Sequence, residues 1–217
     1  HGHTRRQRLS RYPCVYYNQT YFWRQALGFC LKKDGTVCHV VTSGKNCVAA
    51  ASNDSAPALM VLDAQIELSG PDGARAVNAN DFYSTDGIVN TLMAPGEIVT
   101  AVCIARVPRR RSGFDKLRRR GAIDYPLLNC AARIDHLDDG SIAAIDLVVS
   151  ALAARPKRIK AAAKVAAGTQ PSDELWQHLA DAAFKQCRPL SNIDNDPNWR
   201  REMVRVVVNN ALQQAAS

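Results

Sequence analysis

Four of the seven cysteines in this 217-residue chain stand at positions 14, 30, 38 and 47, and only Cys103, Cys130 and Cys187 follow. The gaps of 16, 8 and 9 positions are filled with loop-formers, charges and aromatic residues. Such a cluster is denser than scattered core packing supplies, yet it lacks the close Cys pairs usual at structural zinc. Four thiolates gathered by a long irregular loop suit an iron–sulfur cluster, which takes one cysteine sulfur at each iron. Structural zinc, disulfides and buried free thiols remain open as other uses. An odd cysteine count in a chain too long to need staples argues against a disulfide framework and for a reducing cytoplasm.

At 47% hydrophobic and 22% charged residues, the chain is globular in composition, with enough length for one substantial core or two small ones. No apolar run is long enough to span a bilayer, and the N-terminus lacks the apolar stretch of a secretory signal. The net charge of +8 gathers at Arg5-Arg6-Gln7-Arg8, Arg109-Arg110-Arg111, Arg118-Arg119-Arg120 and residues 155–164. These runs suit phosphate, an acidic protein or an anionic cofactor, and equally suit solvated faces. No recognised motif interleaves aromatics with them, so no nucleic acid and no membrane are expected as partners.

Periodicity divides the chain. Residues 1–13 are basic and aperiodic, and read as a divergent or cloning-derived leader. Within the cysteine loop, 14–50, Trp23, Ala26, Leu27 and Cys30 predict a short helix over 21–31, followed by a turn at 32–35 and a strand over 36–41. A helix over 54–63 precedes a strand at 64–68, a turn at 70–73 and a return strand over 76–82. A further strand is expected over 97–107, with Ile98, Val102 and Ile104 as its apolar face. Asp139-Gly140 between apolar runs 127–134 and 141–149 predicts a hairpin.

The C-terminal third reads as helical: 155–167 ending at Gly168, a second helix opening at Ser172, and a last one opening at Asp196-Pro197. Trp199, Met203, Val206 and Ala211 are its expected apolar stripe. Strands followed by helices make the chain α+β. Cys103, Cys130 and Cys187 are expected in the core, and His136 and His178 at the surface. No nucleophile is paired with a base in a recognisable motif, so no catalytic residue is assigned.

The segment reads Cys14-Val-Tyr-Tyr-Asn-Gln-Thr, then Cys30-Leu-Lys-Lys-Asp-Gly-Thr-Val-Cys38-His, then Cys47, with Asp54 seven residues further on. Together these resemble the β subunits of the 4-hydroxybenzoyl-CoA reductases, a branch of the xanthine-oxidase-like molybdenum hydroxylases. Leu92-Met-Ala-Pro-Gly-Glu97-Ile, Lys116-Leu-Arg-Arg-Arg-Gly-Ala-Ile-Asp124 and Trp199-Arg-Arg-Glu-Met-Val are similar to motifs shared by all flavin subunits of that superfamily. The resemblance runs from Cys14 to the end of the chain. Its four cysteines and Asp54 are the branch-specific part.

The resemblance implies a 4Fe–4S cluster on Cys14, Cys30, Cys38 and Cys47, and FAD approached by Asp54 and Lys116. A cation at Lys116 would stabilise reduced, anionic flavin. Helix capping is the other reading of Asp54, solvation that of Lys116, and a loop role that of His39. Val99 falls where relatives place an apolar residue against the flavin ring, and strand packing accounts for it equally well.

The implied organisation is a remnant of the flavin-binding subdomain over 51–95 with the iron–sulfur loop before it. A C-terminal antiparallel sheet packed with helices follows over 96–217. The implied task is electron transfer from a ferredoxin towards a small 2Fe–2S subunit and a large subunit carrying the molybdenum cofactor. There 4-hydroxybenzoyl-CoA would be reductively dehydroxylated to benzoyl-CoA. A flavin subunit of a xanthine or CO dehydrogenase-like enzyme, and a non-catalytic zinc-binding scaffold, are the alternatives. Family members begin with glycine-rich loops for the FAD phosphates, whereas His3-Thr-Arg-Arg-Gln7 stands here in that place. The chain therefore resembles the C-terminal two thirds of such a subunit, and tight FAD binding by it alone is not expected.

Overall fold

The computed structural model describes residues 13–217, so the leader expected at 1–13 lies, except for Pro13, outside the described residues. Its elements in chain order are α1 (Tyr21–Ala26), α2 (Ser55–Val61), β1 (Gln65–Gly70), β2 (Gly73–Asn78), the single turn α3 (Ala79–Phe82), β3 (Ile98–Cys103), β4 (Arg110–Leu117), β5 (Leu128–His136), β6 (Ile142–Ser150), β7 (Lys157–Arg158), a 3-10 turn (Ala162–Lys164), α4 (Asp173–Gln186) and α5 (Pro197–Ala216). Two antiparallel sheets result, ordered β2-β1-β3 and β4-β5-β6-β7. The fold is α+β, as expected. No described helix is long and apolar enough to cross a membrane.

The hairpin β5–β6 is the centre because both of its faces are covered. Leu128, Cys130, Ala132 and Ile134 point to one face, where Trp176, Leu179 and Ala183 of α4 and Val204, Val208 and Leu212 of α5 close a core. Ala131 and Val148 point to the other face and join Met60, Ile66, Leu68, Phe82 and Val99 in a second core. A strand buried on both sides cannot alternate polar and apolar residues, and β6 reads accordingly as a nearly continuous small and apolar run, while β5 does so only around Cys130–Ala132. Cys130 and Cys187 lie in the first core as expected, and burial pushes the Cys187 thiol up to about 12.

Helix termini follow the sequence closely. The Ser172 side chain accepts from the Leu175 N–H to open α4, and Asp196 accepts from Asn198 N–H to open α5 ahead of Pro197. Of the expected stripe on α5, Ala211 is buried and Met203 packs against the core, while Trp199 and Val206 lie outside the buried face. Arg200, Val204, Val207, Val208, Ala211, Leu212 and Ala215 face inward, while Trp199 and Val206 stay 41% and 47% exposed. Arg200 sets that phase. Its guanidinium donates to the carbonyls of Leu127, Leu190 and Ala151 at 3.1, 3.0 and 2.6 Å, so a charge occupies an interior position. Burial lowers its pKa to about 10, which still leaves it charged at neutral pH.

Several expectations are corrected. α1 stops at Ala26, because Gly28 and Phe29 take left-handed backbone angles and Phe29 N–H bonds back to Arg24 O at 2.7 Å. Residues 36–41 form no strand; Leu31 N–H donates to Val37 O and the chain then turns to bury Cys38. β3 ends at Cys103, and a bulge beside Glu67 and Leu68 breaks its alternation. Val99 and Val102 consequently both turn towards the core, leaving Ile98, Ile104 and Cys103 exposed.

The helix expected over 155–167 is absent. Lys157 and Arg158 pair with Val149 and Val148 as a short strand, and Ile159 N–H bonds to Leu147 O at 2.8 Å. Covering the β6 edge outweighs the helix propensity of that alanine- and lysine-rich text. The basic run at 109–111 enters β4, a strand that the periodicity had not revealed.

Gly113 of β4 touches the backbone of α5 so closely that a Cβ there would lie 2.1 Å from Ala211 O. Gly113→Ala is expected to lower stability by about 3 kcal/mol, read as a reduced urea midpoint. Gly121→Ala, with nothing within 4 Å of its added carbon, should stay within about 0.5 kcal/mol of wild type.

A second test concerns the Arg75 fork on Glu97, with contacts of 2.6 and 2.9 Å, which ties β2 to the start of β3. Arg75, helped by the Ala94 N–H, holds the Glu97 carboxyl at about 2, below its ordinary 4.5. A depressed carboxylate stabilises the fold above its unfolded value, and that contribution fades as pH falls from 4.5 towards 2. Glu97→Gln should flatten the stability–pH curve in that window and leave its slope near neutrality unchanged.

Candidate cofactor site

Cys14, Cys30, Cys38 and Cys47 all line one pocket, together with Tyr16, Tyr17, Lys32, His39, Val48 and Ala49. Each of the four is buried, between 5% and 7% exposed. Local turns aim them. Tyr17 and Asn18 donate backbone N–H to Cys14 O at 3.0 and 2.8 Å, and Lys33 and Gly35 donate to Cys30 O at 2.9 and 3.2 Å. Gly35 is required there, because a Cβ would sit 2.7 Å from Cys30 N. Arg24 braces the turn from behind, donating to Lys33 O at 2.9 Å with its guanidinium 5.3 Å from the Tyr17 ring centre.

Burial pushes the Cys14 and Cys47 thiols up, whereas N–H groups of Tyr16 and Tyr17 at Cys14, and of Ala49 at Cys47, favour thiolate. The Lys32 ammonium acts in the same sense at Cys47. Lys32 enters the pocket wall with its Nζ donating to Gly87 O at 3.0 Å and lying 5.0 Å from the Tyr17 ring centre. His39 is half-buried against Tyr16, and its Nε2 meets Phe29 O at 2.5 Å, so it braces the loop.

Cys47 is held by a segment that sequence reasoning left out. Asp86 Oδ1 accepts from Cys47 N–H at 3.1 Å, and Gly87 N–H donates to Cys47 O at 2.8 Å. A Cβ on Gly87 would stand 3.0 Å from Cys47 Sγ. An Asp-Gly pair is an ordinary turn signal, and nothing local links it to a cysteine 39 positions away.

From Cys47 the chain runs through Ala49, Ala50, Ala51, Ser52 and Asn53, all at most 3% exposed. It arrives at Asp54, whose Oδ2 accepts from Lys116 Nζ at 2.6 Å. The capping reading of Asp54 is corrected: Asn53 Oδ1 takes the Ala56 N–H at 2.8 Å, and the Asp54 side chain caps nothing. Lys116 is not a solvated lysine either. Its side chain is 12% exposed and also donates to Asp124 O at 2.6 Å. Register sets Asn129 opposite Lys116, and Asn129 Nδ2 reaches Asp54 Oδ1 at 3.5 Å and Asn53 O at 3.3 Å. Asn129 was missed; a polar residue in the apolar first half of β5 was its signal.

The chemistry of the pocket is what an iron–sulfur group would take: four buried thiol sulfurs, with N–H donors and a cation beside them. Among the described residues no group of three or more His, Cys, Asp or Glu is drawn up to hold a metal ion. Around Asp54, the buried Ser52 Oγ, Asn53 Nδ2, Ser55 Oγ and Asn129 Oδ1 have no hydrogen-bond partner, which fits a polar group such as the hydroxyls or ring edge of a flavin.

Comparisons with known proteins identify two stretches of the chain. Residues 34–108 match the FAD-binding domain of molybdopterin dehydrogenases, and residues 112–215 match the CO dehydrogenase flavoprotein C-terminal domain. The carbon monoxide dehydrogenase medium chain of Afipia carboxidovorans is 30% identical over 84% of this chain and 62% of its own length. A putative xanthine dehydrogenase FAD-binding subunit of Escherichia coli is 25% identical over 82% of this chain and 61% of its own. The solved carbon monoxide dehydrogenase of Hydrogenophaga pseudoflava superposes with a TM-score of 0.66 at 26% identity, covering 75% of this chain and 56% of that one. This chain thus spans about three fifths of the length of these curated relatives. It belongs to the FAD-binding medium-chain subunits of the xanthine oxidase/CO dehydrogenase family.

Asn53→Ala should cost about 1 kcal/mol through the lost cap. Asp54→Asn and Lys116→Met should each cost about 1 kcal/mol, and the double variant little more than either alone. Chemical unfolding of the four proteins checks both statements.

Proposed function

We propose that the chain is the flavin and iron–sulfur electron-transfer subunit of a molybdenum enzyme that reductively dehydroxylates 4-hydroxybenzoyl-CoA to benzoyl-CoA. The observation that carries this reading is the convergence of Cys14, Cys30, Cys38 and Cys47 on one buried pocket, with Asp54 seven positions beyond Cys47. A 4Fe–4S cluster and FAD, when bound, supply the one- and two-electron chemistry. The chain's own residues hold and tune them. The four thiols lose their protons on ligation, while Tyr16, Tyr17 and Val40 pack against Cys14 and Cys47 and shield them from water. Asp54 and Lys116 form an ion pair at the flavin side, so each orients the other before any ligand arrives.

Substrate chemistry belongs to a large subunit carrying the molybdenum cofactor, reached through a small 2Fe–2S subunit. The names of the relatives as medium chains support such an assembly. A ferredoxin is the proposed donor, drawn to the basic surface by its acidity. The second reading is a flavin subunit acting with a xanthine or CO dehydrogenase-like partner, and the names of the similar proteins favour it.

Anaerobic purification with metal, sulfide and flavin analysis separates these. Four irons and four labile sulfides per chain are expected, with loss of iron in Cys38→Ser. Flavin without iron would favour the second reading, and one zinc with neither iron nor flavin would overturn both.

A further inference from the structure

The cysteine pocket contains one feature that its ligand set does not require. Lys32 could have pointed outward as its neighbour Lys33 does, yet it lines the same pocket as all four thiols. Its ammonium is fixed from two sides, by the Gly87 carbonyl at 3.0 Å and by the Tyr17 ring face at 5.0 Å. The segment that supplies Gly87 is itself bonded to Cys47, so the cation and the Cys47 end of the pocket share one brace. Burial of a lysine stem beside four sulfurs costs desolvation, and an apolar side chain would fill the space without that cost. The charge therefore has a use there.

We infer that the Lys32 ammonium sets the reduction potential of the iron–sulfur group held by Cys14, Cys30, Cys38 and Cys47. This rests on the four-iron reading above. In reduction one electron arrives from a low-potential one-electron donor, no bond forms or breaks, and the group gains one unit of negative charge. A fixed cation in a partly desolvated pocket stabilises that added charge and raises the potential. Asp86, whose carboxylate meets Cys47 N–H, is the opposing charge and keeps the effect bounded. Lys32 is a positioning residue in this scheme, acting on the group through its field and not as a ligand.

The test is an EPR-monitored redox titration, with dithionite, of the full chain purified anaerobically, after iron and sulfide have been counted. In Lys32→Gln the ratio of reduced to oxidised cluster at a fixed poise should fall about tenfold, a shift of about 59 mV for one electron. Lys32→Arg should keep most of the wild-type potential, and Lys33→Gln, at an exposed neighbour, should leave it unchanged. Wild-type protein lacking four irons would overturn the four-iron reading itself. Loaded wild type together with a loaded Lys32→Gln chain of unchanged potential would overturn only the role of Lys32. So would a Lys32→Gln chain that no longer loads iron, since Lys32 would then serve assembly.

Discussion

The buried segment from Cys47 to Asp54 is the constraint on which the rest of the structure turns. Its backbone has no strand of its own to join, yet it lies in the interior, where unpaired amides are costly. Partners come from several directions. Ala50 N–H bonds to Pro13 O, Ala51 N–H to Ala153 O, and Ala51 O receives both Ala151 N–H and the Ser150 hydroxyl. Val48 O receives the Asn192 side chain at 2.6 Å. Three consecutive alanines make the passage possible, because a larger side chain at 49, 50 or 51 would meet a wall that is already closed. Seven residues reach at most about 25 Å when fully extended. The segment thus fixes the sulfur pocket at one end and the Asp54 carboxylate at the other, within a distance set by covalent geometry.

The Asp54–Lys116 pair depends on that segment and on strand register. Lys116 and Asn129 face one another across β4 and β5, and both reach Asp54. A slip of one residue in β4 would turn Lys116 to the other face of the sheet. Gly113 guards the register three positions earlier, because only a glycine lets α5 lie on the strand there. Arg200 clamps the start of α5 to carbonyls at the entry of β5 and just past β6. Packing of the C-terminal helices and geometry at Asp54 are therefore one problem, solved by a close backbone approach and a buried guanidinium.

Most of this fold was legible where local signals decide structure. The Asp139-Gly140 hairpin, the Ser172 and Asp196 caps, and the strand before Gly70 all rest on chemistry within a few residues. What was not legible depends on partners distant in sequence. The text at 155–167 carries helix propensity but is claimed by the β6 edge. One bulge in β3 turns Val99 inward and Cys103 outward, which no alternation rule anticipates. Trp199 and Val206 were read onto the α5 stripe in error because the helix's first interior residue is an arginine. At the site, the four cysteines were legible as a group. Lys32, Gly87 and Asn129 were not, since each matters only through a contact that folding creates.

Family membership and the iron–sulfur proposal rest on different stretches of this chain. The match to the FAD-binding domain begins at residue 34, so it includes Cys38 and Cys47 but not Cys14 or Cys30. The family's shared architecture is carried by β1 to β6 and the C-terminal helices, and it would stand with or without a cluster. The iron–sulfur proposal depends on residues 14–33 as well, which supply half of the thiols and the Lys32 cation. Those residues are held by contacts to the rest of the fold: Val15 N–H to Asn192 O, Lys32 Nζ to Gly87 O. The loop is thus docked onto the sheet and helices at named contacts, and its chemistry is decided by sulfur, charge and burial at the pocket, not by the sheet beneath it.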